Sequence, residues 1–353
     1  MAEGSFGVTP AYAALLRLTW HSPSAAWDVL RWRTSPHHET ENTISILITP
    51  TELADALAGS ARVRVLDVRW RLDRPDGRPD YRAGHIPGAV FVDLDAQLAA
   101  HSDDPRDGRH PLPEVSAVQA SVRGWGIDDG DTVVVYDDLE NLSASRAWWL
   151  LRYAGLADVR LLDGSLRAWA DAGLPLDEGE VEVDEGSATL SYGHLPTLDI
   201  DGAAAFADRG VLLDARAGER YRGEVEPVDP RAGHVPGAVS APTTENVGPD
   251  GRFLEPAALK ARFTSFGVED DGDVASYCGS GVTAAHTAVA LTLAGFSPAL
   301  YPGSWSQWSN HATRPVATGP TPGGAAAVVT LRHAASSEAQ THEASYGREG
   351  VSR

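Results

Sequence analysis

The chain is written twice: four landmarks recur in the same order in its two halves, so the fold is a duplication of one unit. Val63-Arg64-Val65-Leu66-Asp67-Val68-Arg69 is matched by Val211-Leu212-Leu213-Asp214-Ala215-Arg216, each a short apolar run ending in Asp-x-Arg. Ala83-Gly84-His85-Ile86-Pro87-Gly88-Ala89-Val90 is matched by Ala232-Gly233-His234-Val235-Pro236-Gly237-Ala238-Val239, a spacing of Gly and Pro that makes a fixed turn. Thr132 to Asp137 is matched by Asp273 to Cys278, which puts Asp137 and Cys278 at equivalent positions. Val159 to Trp169 is matched by Ala299 to Trp308. The offsets run from 139 to 149 residues, a spread that small loop insertions explain.

Apolar runs of strand length alternating with helical stretches of about 10–15 residues predict parallel sheets covered on both faces. The expected fold is therefore α/β, two tandem domains each with a parallel sheet and helices on both sides. The first is expected over 46–175, an acidic Gly-containing linker over 176–196 and the second domain over 197–318. Residues 1–45, with a short apolar stretch from Ala11 to Leu18, read as a loosely ordered extension. Residues 319–353, rich in Gly, Ala, Ser and Thr, read as a disordered tail.

The formal charge of -20 opposes nucleic acid and anionic membranes, so neither is an expected partner. One Cys excludes an intramolecular disulfide and favours a reducing compartment, the cytoplasm by default. No apolar run has the length of a membrane span, and the start lacks the basic region of a secretory signal. The histidines show no metal-ligand spacing, so neither a metal nor another cofactor is expected.

Cys278-Gly279-Ser280-Gly281-Val282-Thr283 sits where a strand ends and a helix begins, the place where open α/β sheets bind ligands. Two glycines let the backbone curl until successive amides converge on an anion, and the positive end of the helix favours the thiolate. A free cysteine ordinarily serves as a small buried hydrophobe. Val or Ile would fill that role, whereas Gly-Ser-Gly weakens a helix start unless its amides are needed. A phosphate loop would carry a Lys, absent here, and a cysteine phosphatase would carry an Arg six positions after the cysteine, where this chain has Ala284.

These residues resemble the tandem-domain rhodanese sulfurtransferases, of the 3-mercaptopyruvate or thiosulfate type, over about Ile46 to Thr318. The loop after Cys278 is similar to that of the 3-mercaptopyruvate branch, whereas thiosulfate-using relatives carry Arg and Lys there. An inactive first half, here with Asp137 at the cysteine position, is also a habit of the family. The resemblance implies that Cys278 takes sulfur from a small-molecule donor, 3-mercaptopyruvate, as a persulfide held by the amides of Gly279, Gly281, Val282 and Thr283. A thiol acceptor such as thioredoxin, or cyanide, then removes it. Thiosulfate is the alternative donor, and a silent binding or sulfur-relay module is a second alternative. A monomer is expected, because the duplication already supplies a cleft.

The resemblance further implies that Arg220 grips the donor carboxylate. The branch usually carries a second arginine a few residues on, but the matching position is Val228, which leaves Arg231 or Arg222 to replace it. Ser280 and His85 are expected to form a proton relay with an aspartate, Asp73 or Asp76. His85 recurs as His234, which favours a turn-stabilising role, and Arg69 recurs as Arg216, which points to a loop anchor. Most of the tryptophans, Trp148, Trp149 and Trp169 among them, read as core, with Trp305 placed to line the cleft.

Overall fold

The computed structural model describes residues 45–324. The expected extension before Ser45 and the tail beyond Gly324 lie outside the described residues. In the first half the order is β1 (Leu47–Ile48), α1 (Pro50–Ala58), β2 (Val63–Asp67), α2 (Arg78–Ala83), β3 (Val90–Phe91), α3 (Leu94–Gln97), α4 (Val115–Gly124), β4 (Thr132–Tyr136), α5 (Ala144–Tyr153), β5 (Val159–Leu162) and α6 (Ser165–Asp171). The second half repeats it as α7 (Ile200–Phe206), β6 (Gly210–Asp214), α8 (Gly218–Arg222), β7 (Val239–Ser240), α9 (Pro256–Ser265), β8 (Asp273–Tyr277), α10 (Thr283–Leu293), β9 (Ala299–Leu300) and α11 (Ser304–Asn310).

All paired strands are parallel, in the orders β1-β5-β4-β2-β3 and β7-β6-β8-β9. The second sheet keeps only a trace of a fifth strand. Thr197 forms a lone parallel bridge to Leu300, because Pro196, having no N–H, limits the ladder to Leu198 N donating to Leu300 O and Leu300 N donating to Pro196 O. The central strands β4 and β8 are buried along nearly their whole length, as the middle of a parallel sheet covered on both faces requires.

The two halves share a core. One cluster runs from Val133, Trp148 and Trp149 of the first half to Val274, Val289 and Leu300 of the second. It closes through α5 and α10, which lie against each other. Every residue of α10 from Ala284 to Leu291 is buried, and the run of alanines lets the large side chains of α5 approach it closely.

The stretch expected as a linker is held by backbone bonds to the first half, among them Asp177 with His85 and Gly186 N to Arg123 O. The expected tail is likewise tied down at its beginning, where Gly319 N donates to Arg222 O and Gly237 N to Pro322 O. Trp148, Trp149 and Trp169 are core residues, as expected. Trp305 is too, instead of lining the cleft: it is fully buried, donates to Arg231 O and stacks under the Arg216 guanidinium.

Candidate active site

β8 delivers Cys278 to the carboxyl edge of its sheet, and three contacts fix the residue there. Its N–H donates to Ser304 Oγ at 3.1 Å, its carbonyl accepts from Trp305 N at 2.9 Å, and Gly279 O accepts from Ser306 N at 2.8 Å. The loop is thus pinned by the first turn of α11. The chain then curls back so that Gly281 N–H points at Cys278 Sγ, 3.1 Å away. That curl needs glycine. Gly281 has φ of +79°, and a Cβ there would lie 2.3 Å from Pro302 O. α10 begins directly after this curl, with Val282 as its N-cap and Thr283 as its first residue.

The equivalent loop of the first half shows what such a turn does to an anion. Asp137, at the cysteine position, accepts from the amides of Leu139, Asn141, Ser143 and Ala144 and from the hydroxyls of Ser143 and Ser165. Six donors converge on one carboxylate that never leaves. Ser165 and Ser304 are equivalents behind the two loops, both with positive φ, so the scaffold is common and the group it holds is not.

Ser280 does meet a histidine, but not His85. His110, from the first half, places Nδ1 2.8 Å from Ser280 Oγ and Nε2 3.1 Å from Asp95 Oδ1. A carboxylate can only accept, so in the neutral ring Nε2 holds the proton and Nδ1 accepts from the Ser280 hydroxyl. Trp70 donates its indole N–H to the other Asp95 oxygen at 3.1 Å and sets its ring edge-on to His110. The hydrogen bond from His110 is the largest influence holding the Asp95 carboxyl below its usual range. His85 instead stacks on Tyr81, gives Nδ1 to Tyr81 O, and pairs its backbone with Asp177. His234 does the same on Tyr221. Both histidines brace the Gly-His-x-Pro-Gly turn, and the expected aspartates, Asp73 and Asp76, give way to Asp95.

Arg220 lies beside the loop as expected, and its partner arginine comes from the other half. A Cβ on Gly279 would meet Arg109 Nη2 at 3.1 Å and Arg220 Nη1 at 3.6 Å, so glycine makes room for two guanidinia. Asp229 bridges them: it pairs closely with Arg109 Nη1 and lies 3.2 Å from Arg220 Nη2. Arg220 also binds Glu226 at 2.6 Å. Burial is the main cause raising the Asp229 carboxyl above its ordinary range, against the pull of both arginines.

Neither Arg231 nor Arg222 replaces the arginine absent at Val228. Arg231 is spent on the carbonyls of Trp308, Ser309, His311 and Arg314, and Arg222 pairs with Glu224 at the surface. Arg216 chelates Asp214 and Gly233 O just as Arg69 chelates Asp67 and Gly84 O, so both anchor loops.

The duplicated parallel α/β scaffold, with a cysteine at one loop and a carboxylate at its equivalent, has counterparts among known proteins. The family of rhodanese-like domains matches residues 49–172 and again 201–311. The chain belongs to the rhodanese-like family. It is 47% identical over 277 residues to a putative thiosulfate sulfurtransferase, SseB, of Mycobacterium tuberculosis, spanning 78% of this chain and 97% of that protein. A probable 3-mercaptopyruvate sulfurtransferase of Pseudomonas aeruginosa is 46% identical over 284 residues, spanning 77% and 98%. The crystal structure of the 3-mercaptopyruvate sulfotransferase SseA from Escherichia coli superposes with a TM-score of 0.66 at 34% identity, covering 74% of this chain and 99% of that one. This rhodanese-like protein is an enzyme of the sulfurtransferase class.

The residues that the sequence reading missed, Asp95, Arg109 and His110, all come from the half without the cysteine. One signal was available. Asp107-Gly108-Arg109-His110 is itself a repeat of Asp250-Gly251-Arg252-Phe253, and the copies differ at His110 and Phe253. Where a duplicated rhodanese differs between halves, the difference marks what only one half needs.

Proposed function

We propose that the protein transfers sulfane sulfur from 3-mercaptopyruvate to a thiol or to cyanide through a persulfide on Cys278. The carrying observation is the pairing of a sulfur atom at a glycine loop with a Ser280–His110–Asp95 chain beside it. The Cys278 thiolate attacks the donor sulfur, the carbon–sulfur bond breaks, and its electron pair passes to pyruvate enolate. Ser280, its hydroxyl aligned by its bond to His110 Nδ1, hands a proton to the enolate and recovers one from the outer S–H of the persulfide. The persulfide loses its own proton and remains as an anion facing the amides of Gly279, Gly281, Val282 and Thr283. Arg220 and Arg109 hold the donor carboxylate. An acceptor thiolate, on a small thiol or on thioredoxin, then takes the outer sulfur and restores Cys278. A single cysteine, with no disulfide to protect, suits work in the cytoplasm, and a monomer suffices because the two halves of one chain already build the site.

Thiosulfate is a second reading with an observation of its own. The loop lacks the Arg and Lys of thiosulfate-using relatives, yet two arginines stand within 4 Å of a Gly279 Cβ and supply comparable charge. The test is the ratio of kcat/KM for 3-mercaptopyruvate to that for thiosulfate, with cyanide as acceptor and Cys278→Ala as the blank. A ratio well above one supports the first reading. A ratio below one hands the enzyme to thiosulfate.

A further inference from the structure

Arg146 belongs to α5, in the half without a cysteine, yet it serves the other half. It is fully buried, and its guanidinium donates to Leu98 O at 3.1 and 3.3 Å, to His110 O at 3.1 Å and to Gly281 O at 3.2 Å. Gly281 is the residue whose amide faces Cys278 Sγ, and His110 is the residue bonded to Ser280. Arg146 therefore touches both arms of the site from behind. Among the described residues it has no carboxylate partner. Burial lowers its pKa to about 10, and Cys278 is the larger of the two groups that resist this, Tyr192 being the other. A buried cation without a counter-ion is costly, so its retention calls for an anion that is present only part of the time.

The duplication supplies the control. Counting from Ala154-Gly155 and Ala294-Gly295, which end α5 and α10, the counterpart of Arg146 is His286. His286 is equally buried, bonds Thr243 Oγ1 at 2.8 Å, stacks on Phe253 and lies beside the Glu140 backbone of the silent loop. Burial pushes its pKa down to about 3, so the ring is neutral. Each half thus backs the other's loop. The loop with a permanent, six-fold bonded carboxylate is backed by a neutral ring, and the loop whose sulfur has one amide donor is backed by a cation.

We infer that Arg146 is a positioning residue that holds the sulfur anion of Cys278, first as thiolate and then as persulfide, while fixing the carbonyls of His110 and Gly281. The inference rests on Cys278 being the sulfur carrier. The other charged or titratable groups around the loop are His110 through Ser280, Arg109 and Arg220 with Asp229 and Glu226 behind them, and Tyr277 in β8.

The test is the pH profile of Cys278 in the full chain, followed by thiolate absorbance near 240 nm and by iodoacetamide alkylation, in wild type, Arg146→Gln, Arg146→His and Arg146→Lys. No sulfur donor is needed, so a failure here is distinct from a failure of the donor assignment, and the single cysteine makes the signal unambiguous. The neutral variants are expected to shift the midpoint upward by about 1 unit, roughly tenfold slower alkylation on the acid limb. Arg146→Lys should keep the wild-type profile while its Tm falls with the lost forked bonds. Midpoints unchanged in Gln and His overturn the inference. Should neither neutral variant fold, Arg146→Lys decides: a profile that moves along with its Tm overturns the inference, and one that stays supports it.

Discussion

Asp229→Asn offers the sharpest test of how the two arginines are used. In the free enzyme Asp229 already occupies the space between Arg109 and Arg220, with its side chain 2% exposed. A donor carboxylate must displace it or accept weaker bonds. Asn keeps the shape and removes the charge, so the incoming carboxylate recovers a charge-assisted pair worth about 1.5–3 kcal/mol. At 1.4 kcal/mol per decade that is roughly 10- to 100-fold in affinity. The assay is KM for 3-mercaptopyruvate together with inhibition by pyruvate, which does not react.

KM and the inhibition constant should fall together while kcat changes little. The pH dependence checks the same idea. Burial raises the Asp229 carboxyl, so acid neutralises it earlier than an ordinary aspartate and frees the arginines. Wild-type affinity for pyruvate should therefore rise as pH falls through that raised pKa, whereas the Asn variant stays flat. By the same sign, the raised pKa favours the folded state at low pH, and that advantage is lost as pH rises. Unchanged or weaker binding in Asp229→Asn would refute the reasoning and leave Asp229 as a structural brace for the arginines.

His110→Phe copies the silent half, where Phe253 stands, and should lower kcat by about 10²–10⁴ with the fold intact by circular dichroism, since a general acid–base group is lost and the shape is kept; a loss below threefold argues against the relay. Initial-rate plots with cyanide as second substrate should give parallel lines, because the persulfide forms before the acceptor binds; intersecting lines would require both substrates at once. Gly281→Ala should lose about 1–3 kcal/mol of stability from its positive φ, read as a Tm lowered by several degrees, with activity lost beyond that because the amide no longer faces Cys278. A Gly281→Ala enzyme of wild-type Tm would mean that the loop opens at little cost.

The chain fixed on its own whatever depends on neighbours a few residues apart. The duplication, the parallel α/β units, the anchors Arg69 and Arg216, the exchange of Cys278 for Asp137 and the curl at Gly281 all follow from local patterns that set backbone angles and buried faces. What the tertiary structure alone decided is which groups surround the sulfur. Asp95, Arg109, His110 and Arg146 come from the other half, more than 130 residues from Cys278, and reach it because α5 packs on the alanine run of α10 and the 105–110 segment packs on α11. The sequence did offer two recurrent histidines, His85 and His234, but recurrence marked a shared turn, whereas His110, the partner of Ser280, stands where the copies disagree. Packing between two copies of one unit makes each complete the other's loop, and no pattern within one copy carries that information.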